Sequence, residues 1–201
     1  MKLFLALYLL SSYFCSVSML QCLKCYSESG QCNTTISEEC EPEHICGSMT
    51  YSLFDPGHNV NNTVQKLECI RRSNDDLLNT VATDVLFYSA NVGILYGSML
   101  LFSCEFDNCN RIVGLYNSTP NGLKCLTCDS YSDEVCNSIL SCVGYQDHCL
   151  SVIRTNISIS MWPWGNKNIF GCASKTVCDR APKTSIFGEV HCCLDDLCNR
   201  V

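Results

Sequence analysis

The sequence predicts an all-β, small, disulfide-rich protein made of two tandem domains. Its 201 residues include 19 cysteines, which occur twice in nearly the same spacing. From Cys22 the first intervals are 3, 7, 8, 6 and 23 residues, and from Cys125 they are 3, 8, 6, 7 and 23. A repeat of this length indicates two copies of one structural unit. Domains of this size bury small cores, so we expect disulfide bridges to supply much of their stability.

The amino terminus is typical of a secretory signal peptide. Lys2 precedes a short uncharged apolar run, and small residues follow at 16–18. We therefore predict a signal peptide at 1–18, whose removal takes Cys15 and leaves 18 cysteines. A membrane anchor is the alternative, but the apolar run is too short to span a bilayer. The sequence after Asn199 lacks the apolar tail of a lipid-anchor signal, so we expect a secreted, extracellular protein without a membrane anchor.

The repeat sets the domain boundaries. We predict a first domain at 19–112, a linker at 113–123 with turn-forming residues, and a second domain at 124–201. Residues 19–116 have a net charge of −7, and residues 117–201 have a net charge of −1. An acidic chain argues against nucleic acid or an anionic membrane as a partner and favours a basic protein.

Two hairpins are predicted in the first domain. Residues 48–54 and 63–67 have strand composition and flank a turn at 55–59. Residues 85–102 form an uncharged run of 18, long enough for a membrane helix, but glycines and an asparagine interrupt it. We therefore favour a β-hairpin that turns near 89–93. Its apolar surface exceeds what a small domain buries, so we expect contact with the second domain or a partner. Two residues of this run are candidate partner-binding residues: Leu95 and Tyr96.

The second domain contains a strand at 151–160 that leads to an apolar tip. The tip carries Met161 and both tryptophans of the protein, Trp162 and Trp164. Pro163 between the rings prevents a regular strand ladder. Tryptophan is enriched among residues that dominate binding energy, so these three are candidate partner-binding residues. The alternative is that the rings fold back onto the sheet or onto the other domain.

Four Asn-x-Ser/Thr sequences predict N-linked glycosylation in a secreted chain. We expect at least two of them to carry a glycan. They are Asn33, Asn61, Asn117 and Asn156.

No catalytic or metal-binding pattern is present in the sequence. It contains neither Gly-x-Ser-x-Gly nor His-Glu-x-x-His, and no phosphate-binding loop. In an oxidising compartment the two Cys-x-x-Cys pairs are halves of bridges rather than zinc ligands. Asp195 and Asp196 are better interpreted as solvated than as calcium ligands. We predict a non-enzyme without metal or cofactor.

The cysteine pattern resembles the urokinase-receptor/lymphocyte-antigen-6 (UPAR/Ly6, three-finger) family. Each half begins with Cys-x-x-Cys, and the second ends with Cys192-Cys193-x4-Cys198-Asn199. The resemblance covers nearly the whole secreted chain and implies two three-finger domains, with Asn110 and Asn199 bonding between finger bases. It implies these bridges: Cys22–Cys46, Cys25–Cys32, Cys40–Cys69, Cys104–Cys109, Cys125–Cys149, Cys128–Cys136, Cys142–Cys172, Cys178–Cys192 and Cys193–Cys198.

Within that family, the chain is similar to the two-domain gamma-type phospholipase A2 inhibitors. A Pro-Asn-Gly stretch at 120–122 precedes the second domain, as in their linker. Those inhibitors have the fuller cysteine set in the first domain, whereas here the second domain has it. The resemblance implies a secreted inhibitor of a secreted enzyme such as a basic phospholipase A2. Two alternatives stay open: a signalling or pheromone-like ligand, and an adhesion or receptor-like module. Self-association into a homo-oligomer also stays open.

Overall fold

The computed structural model describes residues 19–72, 83–111, 117–153, 168–180, 184–185 and 188–200. More than half of these residues lie in β-strands, and the only α-helix among them is one short segment, which confirms the predicted all-β, disulfide-rich class. The strands are β1 (Gln21–Ser27), β2 (Ile36–Glu39), β3 (His44–Asp55), β4 (Val60–Arg71), β5 (Thr83–Asn91), β6 (Tyr96–Cys104), β7 (Pro120–Thr127), β8 (Ser138–Val143), β9 (His148–Ile153), β10 (Ile169–Ala173), β11 (Thr184–Ser185) and β12 (Gly188–Cys193). One short helix, α1 (Lys175–Arg180), follows β10. Several predictions concern residues outside these ranges: the signal peptide at 1–18, Asn156, Met161, Trp162 and Trp164.

The first predicted hairpin is formed by β3 and β4. The two strands pair from His44 opposite Arg71 to Asp55 opposite Val60. A single 3-10 turn, Pro56–His58, joins them. The Asp55 side chain accepts a hydrogen bond from the His58 amide at 3.2 Å, which caps the turn. The predicted hairpin at this place is confirmed.

The uncharged run at 85–102 is the second hairpin, not a helix. Strands β5 and β6 pair from Thr83 opposite Cys104 to Asn91 opposite Tyr96. The turn lies at 92–95, slightly later than predicted, because the Val92 amide donates to the Leu95 carbonyl at 2.9 Å. Among the described helices, none has the length and apolar character needed to cross a membrane.

Nine disulfide bridges join the 18 cysteines of the described chain. They are the same pairs that the family resemblance implies. Each half has a buried cluster of four half-cystines that acts as its core. A bridge of this kind contributes about 2–4 kcal/mol, so the bridges replace much of the missing apolar core. The clusters are Cys22, Cys40, Cys46 and Cys104, and Cys125, Cys142, Cys149 and Cys172.

Equivalent asparagines tie the strands together at the base of each half. Asn110 exchanges hydrogen bonds of 2.9 Å with the Leu23 backbone and donates to the Gly47 carbonyl at 2.8 Å. Asn199 bonds the Leu126 backbone in the same way and donates to the Leu150 carbonyl at 2.9 Å. Both side chains are buried with all their polar atoms paired. The structural role implied by the resemblance is confirmed.

The two halves share one sheet. Among the described strands, ten are hydrogen-bonded in the order β11-β12-β9-β10-β5-β6-β3-β4-β1-β2, while β7 and β8 form a separate pair. The halves meet where β10 runs antiparallel to β5, with Cys172 opposite Asn91 and Ala173 opposite Ala90. The hairpin expected to contact the second domain or a partner therefore contacts the second domain.

Candidate binding surface

The pairing of β5 with β10 is supported by hydrogen bonds between two serines. The Ser174 amide donates to the Ser89 carbonyl at 2.8 Å. The Ser89 amide donates to the Ser174 hydroxyl oxygen at 3.1 Å, and that hydroxyl donates to the Phe87 carbonyl at 3.3 Å. Both serines are buried. Hydrogen bonds shielded from water in this way fix the position of one half against the other.

A fully buried glutamine joins this contact from the second half. Gln146 is 0% exposed, and its amide nitrogen donates to the Ser89 hydroxyl at 2.8 Å. Its amide oxygen accepts from the Val143 backbone at 3.1 Å. Leaving a buried amide unpaired costs about 1–3 kcal/mol. Gln146 therefore favours the docked arrangement of the two halves.

An apolar cluster lies next to the strand pair. Val92 and Ile94, in the turn after β5, are buried, and Leu95, Tyr131 and Ile169 pack against them. Tyr131 and Ile169 belong to the second half, so Leu95 lies in the junction. Its predicted role as a partner-binding residue stays a prediction.

The tip of the β3–β4 hairpin reaches the second half through a polar contact. The Tyr131 hydroxyl donates to the Asp55 carboxylate at 2.7 Å, and His58 lies 2.8 Å from the same oxygen. The rings of His58 and Tyr131 meet edge to face with centroids 5.1 Å apart. Gly57 lies under the Tyr131 ring: a Cβ atom there would be 2.9 Å from Tyr131 Cε2.

This contact changes the pKa values of both partners. Burial alone would raise the pKa of Asp55, but the hydrogen bonds from Tyr131 and His58 outweigh it and lower that pKa below its usual value of 3.8. Burial, together with the hydrogen bond to the Asp55 carboxylate, raises the pKa of Tyr131 to about 12. The neutral phenol and the ionised carboxylate are thus the forms that fit the junction.

A groove runs beside the junction on one face of β3, β4, β5 and β6. Its volume is about 530 Å³, within the range of roughly 300–1,000 Å³ that is usual for ligand pockets. Tyr96 and Phe54 lie along it, and Phe87 packs at 5.0 Å from the Tyr145 ring of the second half. Thr50 and Ser52 also line it. The groove offers apolar surface interleaved with uncharged polar groups.

The candidate residues named from the sequence are divided among these surfaces. Tyr96 lines the groove, and Leu95 packs in the junction. Asn61 also lines the groove, whereas Asn33 and Asn117 are exposed elsewhere. No local pattern selects Gln146, Asp55 or Tyr131, because each has a decisive partner on the other half. The single sequence signal was the unusual polarity of Ser89 and Asn91 within an apolar run.

Comparisons with known proteins identify weak structural similarity and no matching family. No family model matches the chain. Among solved structures it is similar to the crystal structure of mouse TEX101, with 14% sequence identity, 89% of this chain and 98% of that chain covered, and a TM-score of 0.31. A TM-score this low says nothing about the function of this chain. The assignment of this chain to the small, disulfide-rich three-finger fold class therefore depends on its own bridges, hairpins and paired asparagines.

Proposed function

We propose that this protein is a secreted, non-enzymatic binding protein that inhibits another secreted enzyme, with a basic phospholipase A2 as the concrete case. The proposal combines the resemblance to the gamma-type inhibitors with the geometry of the domain junction. Its bridges and predicted signal peptide fit an extracellular compartment.

The observation that carries the proposal is the continuous sheet across the two halves. Strand pairing, the buried Gln146 and the contact of Tyr131 with Asp55 hold the halves in one arrangement. A binding surface that is already ordered loses less conformational entropy when the partner docks. Such a frame suits a protein that covers an enzyme by contacting it from both domains.

The charge distribution supports a basic partner. The first predicted domain carries most of the net negative charge, including Glu38, Glu39, Glu41 and Glu43. Glu38 pairs with Lys24 at 2.8 Å and Glu43 lies 3.9 Å from Arg71, while Glu39 and Glu41 are exposed. Complementary charge accelerates association more than it strengthens the final complex, and salt screens it.

We place the main contact at Met161, Trp162 and Trp164, with Tyr96 as a further candidate. Tryptophans on a loop supply large apolar area from rings with few rotatable bonds, which is the usual composition of an energetic hot spot. Leu95, the remaining candidate from the sequence, packs in the junction between the halves.

The test is an inhibition and capture assay with the secreted, glycosylated protein. Purified basic phospholipase A2 enzymes are assayed with the protein in excess, beside a Trp162→Ala/Trp164→Ala variant. We expect the wild-type protein to retain and inhibit an enzyme, the variant to lose at least tenfold in affinity, and association to slow with added salt. Phe106→Ala is the control, because it removes a large aromatic ring, 62% exposed, that the proposal does not place in the contact.

Two results would redirect the proposal. If the variant and the control both retain the enzyme, the tryptophan tip is not the contact. If every purified enzyme keeps full activity with the protein in excess, inhibition is ruled out, and the signalling-ligand hypothesis replaces it.

A further inference from the structure

We propose that an N-linked glycan on Asn61 turns back into the groove on β3–β6, and that its first sugars are the occupant of that groove. This inference needs only passage through a secretory pathway, so it stands apart from the identity of the enzyme partner. It assigns an occupant to the groove, and with that occupant in place Tyr96 is covered and withdrawn from the partner contact, which leaves the contact to Met161, Trp162 and Trp164.

The glycosylation sequence at Asn61 lies on the groove side of the sheet. Asn61 and Thr63 lie two residues apart on β4, so both face the same side of the sheet. That side is the groove face: Asn61 is exposed at the rim and lines the groove, as does Thr63. Asn61 is paired with Phe54 on β3, so a sugar on its amide starts beside that ring.

The residues that line the groove have the chemical character of a carbohydrate-binding surface. Among the described residues that line it, none has a charged side chain. Aromatic rings alternate with small hydroxyl and amide groups across the strands, and the exposed ring of Phe54 is 46% accessible. Sugars present apolar C–H faces that pack on aromatic rings, with hydroxyl groups at their edges for hydrogen bonds. A neutral lining of this kind fits a carbohydrate better than a charged peptide.

A buried hydroxyl in the groove supplies the third step. Thr50 Oγ1 is inaccessible and has no hydrogen-bond partner among the described residues. A neighbouring pair, Ser52 Oγ and Thr63 Oγ1, is satisfied internally at 3.2 Å. Buried polar groups in folded proteins nearly always have a partner. Because Thr50 Oγ1 is closed to solvent, the Thr50 side chain would have to rotate to present this hydroxyl to a sugar hydroxyl or N-acetyl group in the groove.

Occupancy by the glycan has a consequence for partner binding. It would cover the groove face of the β5–β6 hairpin, where Phe87, Tyr96 and Leu100 lie. Large exposed apolar patches promote unwanted association. A covered groove would leave the opposite face and the finger tips for a partner.

The experiment measures how fast a glycosidase releases each glycan from the native protein. The protein is secreted from cultured cells, and mass spectrometry determines occupancy at Asn61 and Asn117. The Asn117 glycan is the internal reference, because Asn117 is exposed on the linker and lies outside the groove. We expect Asn61 to be occupied and its glycan to be released at least about tenfold more slowly.

Two groove variants show whether docking causes the slow release. Phe54→Ala removes the exposed ring, and Thr50→Val removes the buried hydroxyl with little change of shape. Each should bring the release rate at Asn61 closer to that at Asn117 without changing the rate at Asn117. In the wild-type glycoprotein, nuclear Overhauser contacts between an N-acetyl methyl group and the Phe54 ring should be observed.

Three results would overturn the proposal. They are an unoccupied Asn61 in the secreted protein, equal release rates at the two sites, and slow release at Asn61 that neither groove variant changes. In the last case, the absence of contacts to the Phe54 ring would show that the glycan extends into solvent.

Discussion

At the scale of single residues, buried polar side chains determine how the two halves meet. Gln146 and Ser89 form a hydrogen bond from opposite halves, and both are buried. Such groups are costly in any arrangement that leaves them without a partner. They therefore specify one docking geometry more sharply than apolar contacts would.

The contact of Asp55 with Tyr131 should make the junction depend on pH at both extremes. The folded-state pKa of Tyr131 is raised to about 12, so its contribution is complete below the ordinary value of about 10 and is lost as the pH rises through 12. The pKa of Asp55 is lowered below 3.8, so its contribution is present above that value and is lost as the pH falls through the lowered pKa.

The measurement is the free energy of unfolding against pH for the wild-type protein and Tyr131→Phe. We expect the variant to be less stable at neutral pH, and the difference to shrink above pH 10 and below about pH 4. Tyr26→Phe is the control, since Tyr26 is 63% exposed and lies in β1, away from the junction. A stability difference that is constant across the whole pH range would contradict the assigned contact.

At the scale of elements, the strand pair β5–β10 depends on a glycine. A Cβ atom at Gly171 would overlap the Asn91 carbonyl oxygen and lie 2.7 Å from Val92 Cα, both in the first half. The backbones of the two halves therefore approach more closely than any side chain at this position allows.

Gly171→Ala should consequently weaken the junction. We expect a loss of about 1–3 kcal/mol in unfolding free energy, as for overpacking in a dense interior. Gly97→Ala is the matched control in a β-strand, because a Cβ atom there meets only Leu53 Cδ1 at 3.8 Å. Denaturant unfolding of the two variants makes the comparison. Equal effects of the two substitutions would show that β5 and β10 are not closely packed.

The elements within each half were predictable from the sequence, because they rest on local signals. Alternating residues and a Pro-Gly turn predicted the β3–β4 hairpin, and glycines interrupting the apolar run predicted the β5–β6 hairpin. The cysteine spacing, read with the family resemblance, implied all nine bridges that the structure contains.

The contact between the two halves and the groove beside it could not be predicted from local sequence signals. Only two residue pairs join β5 to β10, and no periodic pattern indicates which strand edges will meet. Gln146 stands beside Asp147 and His148 in a polar turn region, where exposure is the usual expectation. The groove forms from four strands that come together only after folding, so the placement of Asn61 opposite Phe54 required the register.

At the scale of the whole molecule, we interpret the two halves as one binding frame rather than as two independently moving domains. Contacts between domains of one chain are often small enough to permit relative motion. Here the strand pair, the apolar cluster and the Asp55–Tyr131 contact act together. We infer that these contacts suffice to hold the two halves in one arrangement.

Hydrogen exchange of individual backbone amides tests that claim most directly. The amides of Ser89 and Ser174 are bonded across the junction, whereas those of Leu23 and Leu126 are bonded to Asn110 and Asn199 within each half. We predict that all four amides are protected from exchange in the native full-length protein. Gly171→Ala should lower this protection at Ser89 and Ser174 alone. Rapid exchange at Ser89 and Ser174 in the wild-type protein, with Leu23 and Leu126 still protected, would contradict it, because the halves would then move independently.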